Sequence, residues 1–191
     1  MRMTEKSKEE EFLAELRQGS ASGLDGLFRL FYVDLCRTSL RIVNDERAAE
    51  DIVQEVFLHL WQKRFTLPVM QSVGAYLRRS ARNRSLNYLR DQKRIPKGDG
   101  EFPQLSTLDN EASAQLELAE LQAKVNRAID ALPERCRLIF VLSRFEGMSH
   151  KEISEALDIS IKTVENQMGR AYRYLREYLS AILLIVFCVL T

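Results

Sequence analysis

Cysteine, proline, glycine and histidine are all scarce in this chain of 191 residues, which holds three Cys, four Pro, eight Gly and two His. So little Gly and Pro excludes a collagen-like chain and argues against a turn-rich all-β protein or a wholly disordered one. Cys36, Cys136 and Cys188 lie far apart and form no CxxC pair. An odd, dispersed set is no disulfide framework, and it points to a reducing, cytoplasmic setting. The first residues are polar, with no apolar stretch of the secretory kind, which points the same way. His59 and His150 stand isolated, so no zinc site is expected. An excess of one charge is also missing: 28 Lys and Arg stand against 27 Asp and Glu, a net charge of +1. The whole-chain charge therefore selects no partner. Neither G-x-x-x-x-G-K nor G-x-S-x-G occurs, and no paired metal-ligand pattern. A self-contained enzyme is not expected, nor any cofactor.

What is present is apolar material and charge that is sorted along the chain. Hydrophobic residues make up 46%, enough for a core in one domain or two small ones at roughly 100–200 residues per domain. Residues 44–57 carry Asp45, Glu46, Glu50, Asp51 and Glu55 against Arg47. Residues 78–94 carry Arg78, Arg79, Arg82, Arg84, Arg90, Lys93 and Arg94 against Asp91. Residues 98–123 hold Asp99, Glu101, Asp109, Glu111, Glu117 and Glu120 with no Lys or Arg. An acidic patch, a basic segment and an acidic connector thus follow one another.

Helical spacing dominates. Leu24, Leu27, Phe28, Phe31 and Leu35 recur at helical intervals, as do Ile52, Val53, Val56, Phe57, Leu60 and Trp61, so both segments are predicted to be amphipathic helices. Pro68 marks 65–72 as a loop, and a further helix is predicted from Ser72 to Gln92. The composition breaks only at 95–113, where Gly98, Gly100, Pro96 and Pro103 mix with acids, the mark of an exposed linker. Helices are predicted beyond it near 114–131, 134–145, 150–157 and 161–178, with Pro133 in a first turn and Gly147 at a helix C-terminus. The expected fold is all-α, with two small helical domains. They are 1–94 and 114–179, joined by the acidic linker 95–113 and followed by an apolar tail, 180–191.

The second domain contains a helix-turn-helix pattern. Ser149-His150-Lys151-Glu152 is a capping box opening a short helix that turns Ile153, Ala156 and Leu157 inward. Asp158-Ile159-Ser160 is the turn, where Asp tolerates left-handed backbone, and Ser160 is a natural N-cap. In the next helix Ile161, Val164, Met168, Ala171, Tyr172, Leu175 and Leu179 form one stripe. Lys162, Asn166, Arg170 and Arg173 project from the opposite side. Such a second helix fits the DNA major groove. Asn166 could pair with adenine and Lys162 with guanine or phosphate, while Arg170 and Arg173 suit phosphates. Gly169 inside that helix costs roughly 1 kcal/mol relative to Ala.

The first domain has its own basic helix. Leu77, Ala81 and Tyr88 share one face of 76–90, while Arg78, Arg79, Arg82, Arg90 and Lys93 gather on the other. Such a face can track a phosphate backbone or simply be solvated. Arg84 falls near the apolar side and is expected to be structural, paired with an acid. Trp61, Phe65 and Tyr76 lie beside this helix, where aromatics can stack on unpaired bases or pack as core.

Together, Glu50–Trp61, Tyr76–Arg90, Leu132-Pro133-Glu134-Arg135-Cys136-Arg137, Ser143–Ser149 and the helix-turn-helix, in that order, resemble an RNA polymerase sigma factor of the extracytoplasmic-function type. The resemblance covers about Leu24 to Leu179. The Glu165-Asn166-Gln167 run resembles the branch common in Bacteroidetes. The resemblance implies a first domain that docks on the clamp helices of core RNA polymerase through Asp51, Gln54 and Glu55. It also implies that the 62–72 loop captures a flipped −10 base, with Trp61, Phe65, Tyr76, Arg78, Arg79, Arg82 and Asn83 along the −10 DNA. The second domain would touch the polymerase flap and read the −35 element with Ser160, Lys162, Thr163, Asn166, Arg170 and Arg173. The acidic linker would thread toward the polymerase active-site channel. Implied partners are core polymerase, promoter DNA and an anti-sigma factor.

Two other readings stay open. A conventional helix-turn-helix regulator would bind a palindromic operator tightly without polymerase. A tail-anchored interaction protein would use Ala181–Leu190, although ten apolar residues fall short of the roughly 20 needed to span a bilayer. That tail could instead fold back as core, dock on a protein partner, or insert at a membrane surface.

Overall fold

The computed structural model describes residues 5–68, 70, 72–92, 95–96, 100–101 and 118–190. Much of the predicted linker, with Asp99, Asp109 and Glu111, lies outside the described residues, as do Lys93, Arg94 and residues 114–117 of the helix predicted after it. Among the described residues the secondary structure is entirely helical, and the chain divides into two compact units, 1–94 and 95–191.

Unit 1 contains α1 (Glu5–Arg17), α2 (Ala21–Val43), α3 (Glu46–Gln62) and α4 (Val73–Asp91). Each of the last three starts where a side chain satisfies a free backbone N–H, the usual role of an N-cap. Ser20 Oγ accepts from the N–H of Ser22, Asp45 from that of Ala48, and Ser72 from that of Ala75. Asn44 ends α2 in left-handed backbone at φ 55°. The predicted stripes face inward: Leu27, Leu35, Val53, Leu60, Leu77 and Ala81 are fully buried. Phe28 sits at the rim, stacked on Tyr32 at 4.4 Å and tilted against Phe57 at 4.9 Å. The periodicity of 5–17 is weak, and α1 is held instead by close approach. A Cβ at Gly23 would come within 2.5 Å of Phe12 O and Leu16 N, and one at Gly26 within 2.5 Å of the Phe12 ring.

Unit 2 contains α5 (Leu118–Asp130), α6 (Glu134–Arg144), α7 (His150–Leu157) and α8 (Ile161–Leu190). Ile139, Leu142, Ile153, Val164 and Ala171 are the heart of its core. Pro133 does not enter the first turn of α6. It stands one residue earlier, at φ −51° and ψ 141°, because Pro fits either side of that boundary: its missing N–H is one the helix start leaves unbonded anyway. Gly147 takes φ 64° after α6, which lets the Met148 N–H return to Leu142 O at 3.0 Å. Tyr172 of α8 meets Phe140 edge-on at 6.0 Å, with the Arg144 guanidinium 5.1 Å from its ring.

α8 extends past the predicted end at 178 and runs through the apolar segment to Leu190. No Pro and no C-capping Gly interrupts it, and Ala and Leu favour helix. The apolar side chains of that segment lie outside the described residues. Among the described residues no helix is long and apolar enough to cross a membrane. A Cβ at Gly169 would meet nothing within 4 Å. Gly169→Ala is therefore expected to stabilise unit 2 by about 1 kcal/mol, seen in calorimetry as a rise of roughly 4–8 °C in its Tm. A lower Tm would show that the helix needs Gly there.

Candidate nucleic-acid interface

The helix-turn-helix forms as the residues dictate. Ser149 Oγ accepts from the Glu152 N–H at 3.2 Å, and the Glu152 carboxylate accepts from the Ser149 N–H at 2.8 Å, closing the capping box. Asp158 takes the left-handed turn at φ 53° and ψ 53°. Ser160 Oγ then accepts from the Thr163 N–H at 3.0 Å and lies 2.9 Å from Thr163 Oγ1. Ile153, Leu157 and Val164 lock the two helices together from beneath.

The outer face of α8 carries the predicted readers in different states. Ser160 and Thr163 are joined to each other by the cap. Lys162 is exposed and reaches Glu165 at 3.4 Å. Asn166 and Arg173 are exposed. Arg170 is half-buried and donates through Nη2 to Gly100 O at 3.1 Å. Gln167 is buried, and its carbonyl accepts from Cys136 Sγ at 3.3 Å. Within the Glu165-Asn166-Gln167 run, only the first two side chains face outward.

In unit 1, α4 presents Arg78, Arg79 and Asn83 on its exposed face, whereas Arg82 is half-buried. Arg84 turns back and donates to Glu55 of α3 at 2.8 Å, the structural pairing its position predicts. Both partners are partly solvated, so the pair is worth about 1 kcal/mol at most. It fixes α3 against α4 more than it stabilises them, and it occupies one of the three carboxyl and amide groups of the predicted docking set. Asp51 and Gln54 remain exposed. The pKa of His59 is held below its ordinary value first by burial and then by Lys63 and Arg84, which disfavours positive charge on this acidic face.

The aromatic group resolves into three environments. Trp61 and Tyr76 are half-buried against the core. Phe65 is 66% exposed. Between Trp61 and Phe65 runs Arg64, whose guanidinium carbon lies 4.1 Å from one ring centre and 4.3 Å from the other. Its Nη1 donates to Trp61 O at 2.8 Å. Cation and rings form one stacked shelf at the start of the α3–α4 loop, stabilised by charge–quadrupole attraction.

Two residues here escaped the sequence reading. Leu58, 56% exposed, lies one turn beyond Gln54 and two beyond Asp51. The signal was present, an apolar residue at helical spacing on a polar face. Arg64 had no such signal, because a contact between neighbouring turn residues has no period.

Comparison with known proteins agrees with this geometry. The Sigma-70 region 2 family matches residues 27–95, and the Sigma-70, region 4 family matches residues 122–175. The RNA polymerase sigma factor NccH of Alcaligenes xylosoxydans xylosoxydans is 30% identical over 181 residues, 88% of this chain and 93% of that one. The RNA polymerase sigma-H factor of Pseudomonas aeruginosa is 24% identical over 191 residues, 95% of this chain and 98% of that one. The ECF RNA polymerase sigma factor RpoE of Cereibacter sphaeroides is 25% identical over 183 residues, 93% of this chain and 100% of that one. With both regions in order and relatives matched along nearly their whole length, the chain belongs to the RNA polymerase sigma factors of the extracytoplasmic-function type, subunits that direct promoter-specific initiation and leave catalysis to the polymerase.

Proposed function

We propose that the two units divide promoter recognition between them. Unit 1 docks on the clamp helices of core polymerase through Asp51, Gln54 and Leu58, with Glu55 steadying the face through Arg84. Its α3–α4 loop takes the unstacked −10 base on the exposed Phe65 ring, beside Trp61, Arg64 and Tyr76. Arg78, Arg79, Arg82 and Asn83 follow the −10 backbone. Unit 2 touches the flap and reads the −35 element with Asn166, while Ser160, Lys162, Thr163, Arg170 and Arg173 fix the register on phosphates. An anti-sigma factor would hold the chain away from polymerase, and the site of action is the cytoplasm. The acidic linker threads toward the active-site channel. On the Glu165-Asn166-Gln167 run we assign the chain to the branch common in Bacteroidetes.

The observation that carries this reading is the exposure of Asn166 on the outer face of a fully capped helix-turn-helix. The mechanism is binding rather than covalent chemistry. Unstacking DNA costs a few kcal/mol per step, and the protein recovers it by holding the strand once open. Run-off transcription with core polymerase and a random promoter library tests the proposal. Start sites sharing −10 and −35 elements are expected only when this protein is added. Tight operator binding without polymerase would favour a conventional regulator instead.

A further inference from the structure

We infer that α1 and the turn after it are the positioning element of the base-capturing loop. This inference rests on the −10 reading above. α1 lies outside the matched region 27–95, and its sequence shows no motif. Yet it touches the α3–α4 loop at three separated points. Glu9 Oε1 accepts from Ser72 Oγ at 2.8 Å and from the Gly74 N–H at 2.7 Å. Arg17 Nη2 donates to Pro68 O at 2.9 Å. Gly19, at φ 86°, sets its backbone against the outer edge of the Phe65 ring, so close that a Cβ would stand 3.2 Å from Phe65 Cζ.

These contacts fall at the start, middle and end of the loop. Among the described residues of the loop few backbone bonds are its own, the shortest being Thr66 N–H to Lys63 O at 2.8 Å. Ordering each free residue costs about 1–2 kcal/mol, and that cost would fall on DNA binding if the loop were loose. α1 removes it in advance, which is preorganisation. Glu9 does a second thing. Its carboxylate sits at the N-terminus of α4, where the helix dipole favours negative charge, and so it ties the end of the loop to the start of the basic helix. The aromatic shelf and the phosphate-facing arginines are thereby held in one register. Glu9, Arg17 and Gly19 touch no DNA in this account. They act through Phe65 and α4.

Holoenzyme binding to two forms of a promoter selected by that holoenzyme tests the inference: a fork with a single-stranded −10 element, and the closed duplex. Arg17→Ala is expected to weaken fork binding about tenfold, the order for loss of one charge-assisted hydrogen bond, and Glu9→Ala, which loses two, by at least as much. Closed-duplex binding and core affinity should stay unchanged, with only a modest fall in Tm from the lost bonds. Glu9→Gln, which keeps an acceptor oxygen, should recover most of the loss. In a Phe65→Ala background, Arg17→Ala should add nothing. Equal losses on fork and duplex, or a full additional loss beside Phe65→Ala, would overturn the inference. If Phe65→Ala alone leaves fork binding intact, the −10 reading itself fails. If Phe65→Ala weakens it while the α1 variants do not, the reading stands and the role of α1 falls.

Discussion

Asn166→Ala is expected to change −35 preference by about 1–3 kcal/mol at a single base pair and to leave the other positions as they were. Its amide offers one acceptor and two donors, a match to adenine N6 and N7 in the major groove. The structure favours it over its neighbours on α8. Ser160 and Thr163 are engaged with each other, Lys162 leans on Glu165, and Arg170 is bonded to Gly100 O. Asn166 is exposed, in the second turn of a helix whose cap is complete. Selection from a −35 library with holoenzyme carrying the variant measures the effect. A loss spread evenly over all sequences would assign Asn166 to the DNA backbone.

The second large effect belongs to Arg78 and Arg79. Replacing both with Ala is expected to lower the salt slope of open-complex binding by about 1.4–1.8, at roughly 0.7 per phosphate contact on a single strand and 0.9 on duplex. The same change at Arg84 should leave the slope alone, because its guanidinium is already on Glu55. Arg82, half-buried, should fall between them. Titrating salt for each variant ranks the Arg78/Arg79 pair, Arg82 and Arg84. An unchanged slope for the double variant would remove α4 from the DNA path.

That ranking shows where sequence reasoning stops. Periodicity groups Arg78, Arg79 and Arg82 on one face, and Arg84 near the other, by angle alone. Angle does not say how deep a side chain sits, because depth depends on what α3 and α2 place opposite it. The same limit applies to Trp61, Phe65 and Tyr76. All three read as aromatics beside a basic helix, and only packing leaves Phe65 out in solvent while the other two lean on the core.

The amino-acid sequence alone determined α2 to α7 and the start of α8 in outline, the capping box before α7 and the turn before α8, but neither α1 nor the run of α8 past residue 178. These are local matters: an apolar stripe, a Ser or Asp at the first free N–H, and an Asp that accepts left-handed backbone all act within a few residues. It placed Val164, Met168 and Ala171 of α8 inward and Lys162, Asn166 and Arg173 outward, but Ile161 and Tyr172 of the predicted stripe are exposed, and Gln167, Tyr174 and Tyr178 are buried instead. Tertiary structure decided the rest. It paired Arg84 with Glu55 and brought Glu9 and Arg17 of α1 to a loop more than fifty residues away. Those contacts join segments that share no period and no motif. The α1 contacts exist because glycines at 23 and 26 let α1 settle close on α2, and no spacing along the chain records which distant loop will lie within its reach.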